Sequence, residues 1–253
     1  VSPPLLSIGT QSANTLLVVA LVVLGAYLVF GVTGFGASPI TIPVLVHVLP
    51  LTFVLALAAL LDLGSALALG AYTRRQAATR EILILLPFTL VGLTLGVTML
   101  VRLPRDATLL ALGVFVCLYA VHVLRRGGTV RRLSRRWAPL AGVAGGVIGA
   151  LFGVGGPPYV MYIAGRVREP AAQRATISQM VILNVGLRVA AFGLAGLLAD
   201  RALWIAVTCL LPVAWAGVFV GHRMHVRVAP ATVARVIAAA LLFSGATLIV
   251  RTL

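Results

Sequence analysis

The stretch "GALFGVGGPPYVMYI" (Gly149–Ile163) decides how this chain is read. Its flanks are apolar enough for continuous helix, yet four glycines and two prolines fall within the ten residues from Gly149 to Pro158. Relative to Ala, a helix interior loses about 1 kcal/mol per Gly and about 3 kcal/mol per Pro. Inside a bilayer the freed amides and carbonyls would also lack water. A break here calls for a compensating partner.

The bilayer itself follows from composition. The 253 residues are 61% hydrophobic and 10% charged, with a mean hydropathy of +1.12, whereas soluble domains are about half apolar and a quarter charged. Apolar runs recur over 13–33, 51–73, 81–102, 106–125, 138–154, 173–199, 202–222 and 230–250. Most approach the length of a transmembrane helix. Shorter runs at 38–49 and 157–165 follow the first and fifth. They are too short to cross and read as half-helices. The expected fold class is therefore all-α, a polytopic membrane protein of about eight transmembrane helices in one integral domain, 1–253. The first residues, "VSPPLLSIGTQSAN", carry no basic n-region, so no cleavable signal peptide is expected.

The net charge is +15 and all twenty basic residues are Arg. Most lie in the gaps between apolar runs, as topology determinants do, and no nucleic-acid partner is expected. The linker "RRGGTVRRLSRRW" (Arg125–Trp137) holds six of them and reads as cytoplasmic. Arg74, Arg75 and Arg80 would share its side, while Arg102, Arg105, Arg166 to Arg174, Arg223 and Arg227 would lie opposite. Cys117 and Cys209 sit inside apolar runs as packing residues. His47, His122, His222 and His225 lie near span ends without a metal-ligand pattern, so neither metal nor cofactor is expected.

The two halves resemble each other. "GFGASPITI" (Gly34–Ile42) aligns with "GVGGPPYVM" (Gly153–Met161), 119 residues on. "LDLG" (Leu61–Gly64) aligns with "LNVG" (Leu183–Gly186), 122 residues on. "LPFTLVGLTLGVTMLVR" (Leu86–Arg102) aligns with "LPVAWAGVFVGHRMHVR" (Leu211–Arg227), 125 residues on. Three matches in order, with a slowly growing offset, read as an internal duplication of about 13–126 and 138–253.

Both copies stop one helix and start another at membrane depth. Ser38 followed by Pro39 reads as an N-cap with Pro at the first helical position, and Pro158 occupies the matching place. A helix start presents free N–H groups and about half a positive charge. Two such starts facing one cavity make an anion site, and broken helices at corresponding positions of two halves point to a transporter's centre. The plainer reading is a pair of Gly-rich kinks that let helices pack closely. The recurrence of cluster, Pro and position in both copies favours the site. Its candidate substrate-binding residues are Gly34, Gly36, Ser38, Thr41, Gly153, Gly155, Gly156 and Tyr159.

Asp62 and Arg188 lie near the middles of their apolar runs, where a charge costs about 2.5–3.5 kcal/mol on insertion scales and so should face protein or water. Asn184 is the repeat equivalent of Asp62, and Arg188 follows it by one helical turn on the same face. Arg188 and Asn184 complete the candidate substrate-binding set, since a planar guanidinium binds oxyanions bidentately. Asp62 is either a proton carrier or the partner of Arg188 in a structural ion pair.

The segments "GFGASPITIPVL" and "GVGGPPYVMYI", set in an eight-span chain divided by a basic loop, resemble the TauE/SafE family of sulfite exporters. The resemblance covers essentially the whole chain. It departs from a plain triple-glycine motif at Ala37 and Ser38. It implies a multi-pass protein of the bacterial inner (plasma) membrane that moves small sulfur-containing anions such as sulfite and organosulfonates.

The leading functional reading is a secondary transporter of a small anion held between the half-helix starts, an exporter by that resemblance. Access would alternate by movement of the two repeats, with protons or the membrane potential as the drive. No GxxxxGK[ST] motif supports ATP drive. A passive anion channel and a non-transporting membrane subunit are the alternatives, and a homo-oligomer is compatible with either. No enzyme is expected: GxSxG and HExxH are absent, and Ser38 has no base beside it, so no catalytic residue is assigned.

Overall fold

The computed structural model describes residues 13–33, 37–70, 77–125, 132–224 and 242–250. They form α1 (Ala13–Thr33), a short α2 (Ser38–Leu45), α3 (Leu51–Gly70), α4 (Thr79–Arg102) and α5 (Arg105–Arg125). A single 3-10 turn at Arg135–Trp137 leads into α6 (Ala138–Phe152), α7 (Gly156–Arg166), α8 (Pro170–Leu194) and α9 (Arg201–Met224). Residues 242–250 form α10. All the described regular structure is helical, and the segments fall where the apolar runs predict them.

Two helix ends fall well short of their runs: α2 stops at Leu45, and α8 stops at Leu194. The run 173–199 yields α8 over Pro170–Leu194, because Gly196 adopts φ +75° and turns the chain. The Leu197 N–H then bonds back to the Phe192 carbonyl at 2.9 Å. Pro170 opens the helix, where its missing N–H has no cost.

The protein is apolar on the outside as well as within. Helices Thr79–Arg102, Pro170–Leu194 and Arg201–Arg223 are long and apolar enough to cross a membrane, yet only 33%, 33% and 28% of their apolar windows are buried inside the protein. Leu83, Val91, Ile205 and Phe219 project outward from them. In water such a surface would aggregate; in lipid it is solvated.

Close glycine contacts fix how the helices pair. α4 lies parallel to α6: a Cβ on Gly92 would run into Val143, and one on Gly96 would meet Val147 and Ala150. α1 lies parallel to α9 in the same manner, with Gly217 against Leu24 and Leu28, and Gly221 against Leu28 and Gly31. Residues 24, 28 and 31 precede 143, 147 and 150 by 119, while 92 and 96 precede 217 and 221 by 125. These are the offsets found in the sequence. Such small-xxx-small faces let backbones approach where lipid offers no hydrophobic drive.

The ends of the helices sort into two sides. Arg135 Nη2 and Arg166 Nη2 both reach Glu81 Oε1, at 3.1 and 3.2 Å, and the Tyr162 hydroxyl donates to Glu81 Oε2 at 2.7 Å. The Ala78 N–H donates to Thr176 Oγ1 at 2.8 Å. The starts of α4, α6 and α8 and the finish of α7 therefore share one end, the linker end. α6 and α7 form a hairpin that enters and leaves there. Because that hairpin turns back, Arg166, Arg168 and Arg174 lie with the linker, contrary to the expectation that they sit opposite. α8 crosses away and α9 crosses back, which brings Arg223 to the linker end too. Arg102 and Arg105, at the junction of α4 and α5, remain opposite. Arg74, Arg75, Arg227, His225 and the side chain of His122 lie outside the described residues.

α1 and α2 form the other hairpin, of opposite direction. α2 finishes near α10, where Ser244 donates to the Pro43 carbonyl at 2.8 Å and His47 Nε2 meets Thr247 Oγ1 at 3.0 Å. α10 packs antiparallel to α5, with Gly245 against Cys117 and Ile249 against Gly113. Each element from α6 to α10 thus runs opposite to its counterpart from α1 to α5.

Candidate functional site

The two chain breaks meet. Gly153 ends α6 with φ +69°, a conformation that favours glycine. A Cβ on it would clash with Ile42 and lie 3.0 Å from Arg188 Nη1 and 3.1 Å from Ser38 Cβ. Ile42 and Ser38 belong to α2, so the second break is packed directly on the first half-helix. Gly34 and Gly36 lie outside the described residues.

Asp62 stands at the start of α2. Its Oδ1 accepts the Tyr27 hydroxyl at 2.9 Å and the Ala37 N–H at 3.4 Å, and its Oδ2 accepts the Ser38 hydroxyl. Arg188 Nη2 lies 3.5 Å from Oδ2. The Arg188 side chain is 1% exposed and that of Asp62 5%, so this is a fully enclosed ion pair. Arg188 Nη1 donates to the Gly149 carbonyl at 3.2 Å, and among the described residues its Nε has no partner. Gly149 is in the last turn of α6, so Arg188 ties the second hairpin to the first.

Ser38 differs from its expected role. Ala37 is the N-cap, in helical conformation, and Ser38 is the first residue of α2. Its hydroxyl serves Asp62 instead of the helix end. The physical reason is that a buried carboxylate needs donors more than a helix start flanked by a carboxylate needs an acceptor. Thr41 also turns aside: its hydroxyl donates to the Ala37 carbonyl at 3.0 Å, one turn back.

Asn184 and Tyr159 occupy the equivalent place at α7. Asn184 Nδ2 donates to the Tyr159 hydroxyl at 3.0 Å. Gly155, the N-cap of α7, is pressed between the Gly145 carbonyl and Asn184 Oδ1, which would lie 2.7 and 3.0 Å from a Cβ there. Tyr159 in turn covers Gly145. Gly156 is different: nothing lies within 4 Å of its Cβ position, so it is not a close-approach glycine. The structure thus brings together Ser38, Asp62, Gly153, Asn184 and Arg188, joins Gly155 and Tyr159 through Asn184, and leaves Thr41 and Gly156 aside.

Three participants escaped the sequence reading. Tyr27 carried a usable signal, a hydroxyl in the interior of an otherwise apolar span that must find a partner when buried. The Ala37 N–H carried none, since any residue has one. Glu81, at the edge of its run, was detectable as a lone acid facing a chain rich in Arg.

With that geometry in place, comparisons place the chain among known proteins. The family model for the sulfite exporter TauE/SafE matches residues 19–248. A curated relative from Comamonas testosteroni, the probable inner membrane transporter protein TsaS, is 29% identical over 194 residues, covering 75% of this chain and 80% of the relative. No solved structure matches the chain. Family and relative alike are described as transporters. The chain, with two broken hairpins joined at a buried Arg–Asp pair, belongs to the TauE/SafE sulfite exporter family.

Proposed function

We propose that this protein is a secondary transporter of a small anion, sulfite or an organosulfonate, working as an exporter in the bacterial inner membrane. The anion binds at the seam between the two hairpins, with Arg188 as its principal contact and Ser38, Asn184 and the helix starts around it. The halves 13–126 and 138–253 act as inverted repeats whose relative movement alternates access. The paired glycine contacts at matching offsets support that division. The Arg accumulation at the linker end supports a cytoplasmic position for it, which puts the start of α1 and the finish of α10 on the periplasmic side.

One observation carries the reading: a fully buried guanidinium stands where two chain breaks from opposite halves touch, with an Nε free of partners among the described residues. A buried cation is costly, and in a membrane protein it marks a substrate path or a relay. The anion's recognition is bidentate, which Arg provides and Lys does not.

A thermal-shift screen of the purified protein against sulfite, sulfate, thiosulfate and small sulfonates tests this. A ligand at a hundred times its Kd stabilises the folded form by about 2.7 kcal/mol. Saturable stabilisation by one of these anions is expected in the native protein and not in Arg188→Lys. Equal stabilisation of both removes Arg188 from the site. Sulfite flux in reconstituted vesicles should saturate; flux that stays linear at high sulfite would make the protein a channel.

A further inference from the structure

The carboxylate of Asp62 is surrounded as a bound oxyanion would be. Two hydroxyls, from Tyr27 and Ser38, a helix-start amide, from Ala37, and a guanidinium, from Arg188, converge on its two oxygens. They come from α1, α2 and α8, and the groups involved are buried. These are the donor types that suit a sulfite or sulfonate oxygen, and several are the residues assigned above to the substrate. A second anion entering among them would meet the charge of Asp62 at close range in a low-dielectric setting, where like charges repel strongly. The fit is also incomplete: Arg188 reaches Asp62 through one nitrogen only, at 3.5 Å, and its Nε is unfilled among the described residues. An anion with three oxygens can take Nε and Nη2 together, as a planar fork prefers.

We propose that Asp62 is a tethered stand-in for the transported anion, holding its donors in the empty carrier and releasing them when it takes up a proton, so that each anion bound brings in one proton. The inference rests on the anion-site reading and adds the coupling to it. The balance is simple. The carboxylate becomes a neutral acid, the anion takes over the donors, and release of the anion on the far side returns the proton there. Anion and proton therefore cross together, and export runs down the anion's own gradient, not on the inward proton gradient. For a monoanion the site keeps its net charge throughout, which avoids adding an uncompensated charge to the membrane interior.

The surroundings of Asp62 are compatible with that exchange. Tyr27 and Arg188 are the other titratable groups in contact with it. From α9, Leu211 packs on Gly64 and the Trp215 indole donates to the Gly64 carbonyl at 3.3 Å, neither of them charged. One turn along α3, Ala66 lines a cavity of about 170 Å³ together with Phe30, Gly31, Ser178 and His222. Ala66 stands where Arg188 does in the other half, 122 residues earlier. That cavity gives space for water within a turn of the carboxylate.

Titration calorimetry of the full chain with methanesulfonate and with sulfite, in two buffers of different ionisation enthalpy, counts the protons. Methanesulfonate does not titrate near neutrality, and Asp62→Asn controls for the titration of sulfite itself. The native protein is expected to take up about one proton per methanesulfonate, its affinity falling about tenfold per pH unit above the midpoint. Asp62→Asn is expected to bind with no proton uptake and no such slope. Binding without proton uptake by the native protein overturns the stand-in and leaves the anion site intact. Failure of the native protein and the variant to bind either anion overturns the site and this inference with it. If the variant does not fold, the proton count on the native protein decides alone.

Discussion

The two breaks are built from the same plan and carry opposite chemistry. At the first, an acid, Asp62, receives the amide of Ala37 and the hydroxyls of Ser38 and Tyr27. At the second, the equivalent residue is the neutral Asn184, which bonds Tyr159, and the charge nearby is the positive Arg188. Neither half is balanced by itself. The acid of one half meets the cation of the other at 3.5 Å, so a charge pair spans the seam. Two identical halves would have placed two acids or two bases at the centre, an arrangement with a severe desolvation and repulsion cost.

Breaking the pair should have the largest effect. Arg188→Ala leaves Asp62 buried without its cation, and such losses cost about 3–5 kcal/mol. Adding Asp62→Asn removes the stranded charge, so the double variant should melt higher than Arg188→Ala. Thermal unfolding of the detergent-purified proteins makes the comparison. Equal melting of single and double variants would show that the two side chains are not coupled.

The glycines separate the halves next. Gly153→Ala puts a methyl group against Ile42, Arg188 and Ser38 in a left-handed backbone, for a loss of about 2–4 kcal/mol from strain and overpacking. Gly156→Ala, three residues on, meets open space and should change stability by no more than about 0.5 kcal/mol. Similar losses at both would mean that the breaks are held apart rather than pressed together.

The outer ends of the two hairpins give the smallest contrast. Glu81 joins Arg135, Arg166 and Tyr162 at the linker end, whereas His47, Thr247 and Ser244 join α2 to α10 by hydrogen bonds rather than an ion pair. Both cationic partners of Glu81 are partly exposed and screened, which limits the worth of the cluster. Glu81→Gln should cost about 1–2 kcal/mol and Thr247→Val about 1 kcal/mol or less, read from the same melting curves. The Glu81 effect should shrink in high salt and the Thr247 effect should not.

Much of this is legible in the sequence. The apolar runs fixed every described helix, since a period long enough to cross a bilayer has few other readings. Asp62 and Arg188 announced themselves as charges at mid-membrane depth, and the double Gly/Pro clusters announced the breaks. The direction of the chain after each break was not legible. A half-helix can continue across or turn back, and nothing in "GPPYVMYI" distinguishes the two. The sequence therefore points Arg166 to Arg174 to the end opposite the linker, whereas the contact of Arg166 with Glu81 puts them at the linker end. The use of the Ser38 hydroxyl was hidden for a related reason: it depends on a carboxylate 24 residues away.

The most direct test is to see the anion. Crystals of the protein soaked with selenite, a heavier relative of sulfite, would show its position by anomalous scattering. The account predicts a peak at the seam, within hydrogen-bonding reach of the Arg188 guanidinium and beside Ser38 and Gly153, with the Asp62 carboxylate withdrawn from it. A selenite bound away from Arg188, or two breaks lying apart from each other and open to lipid, would contradict it.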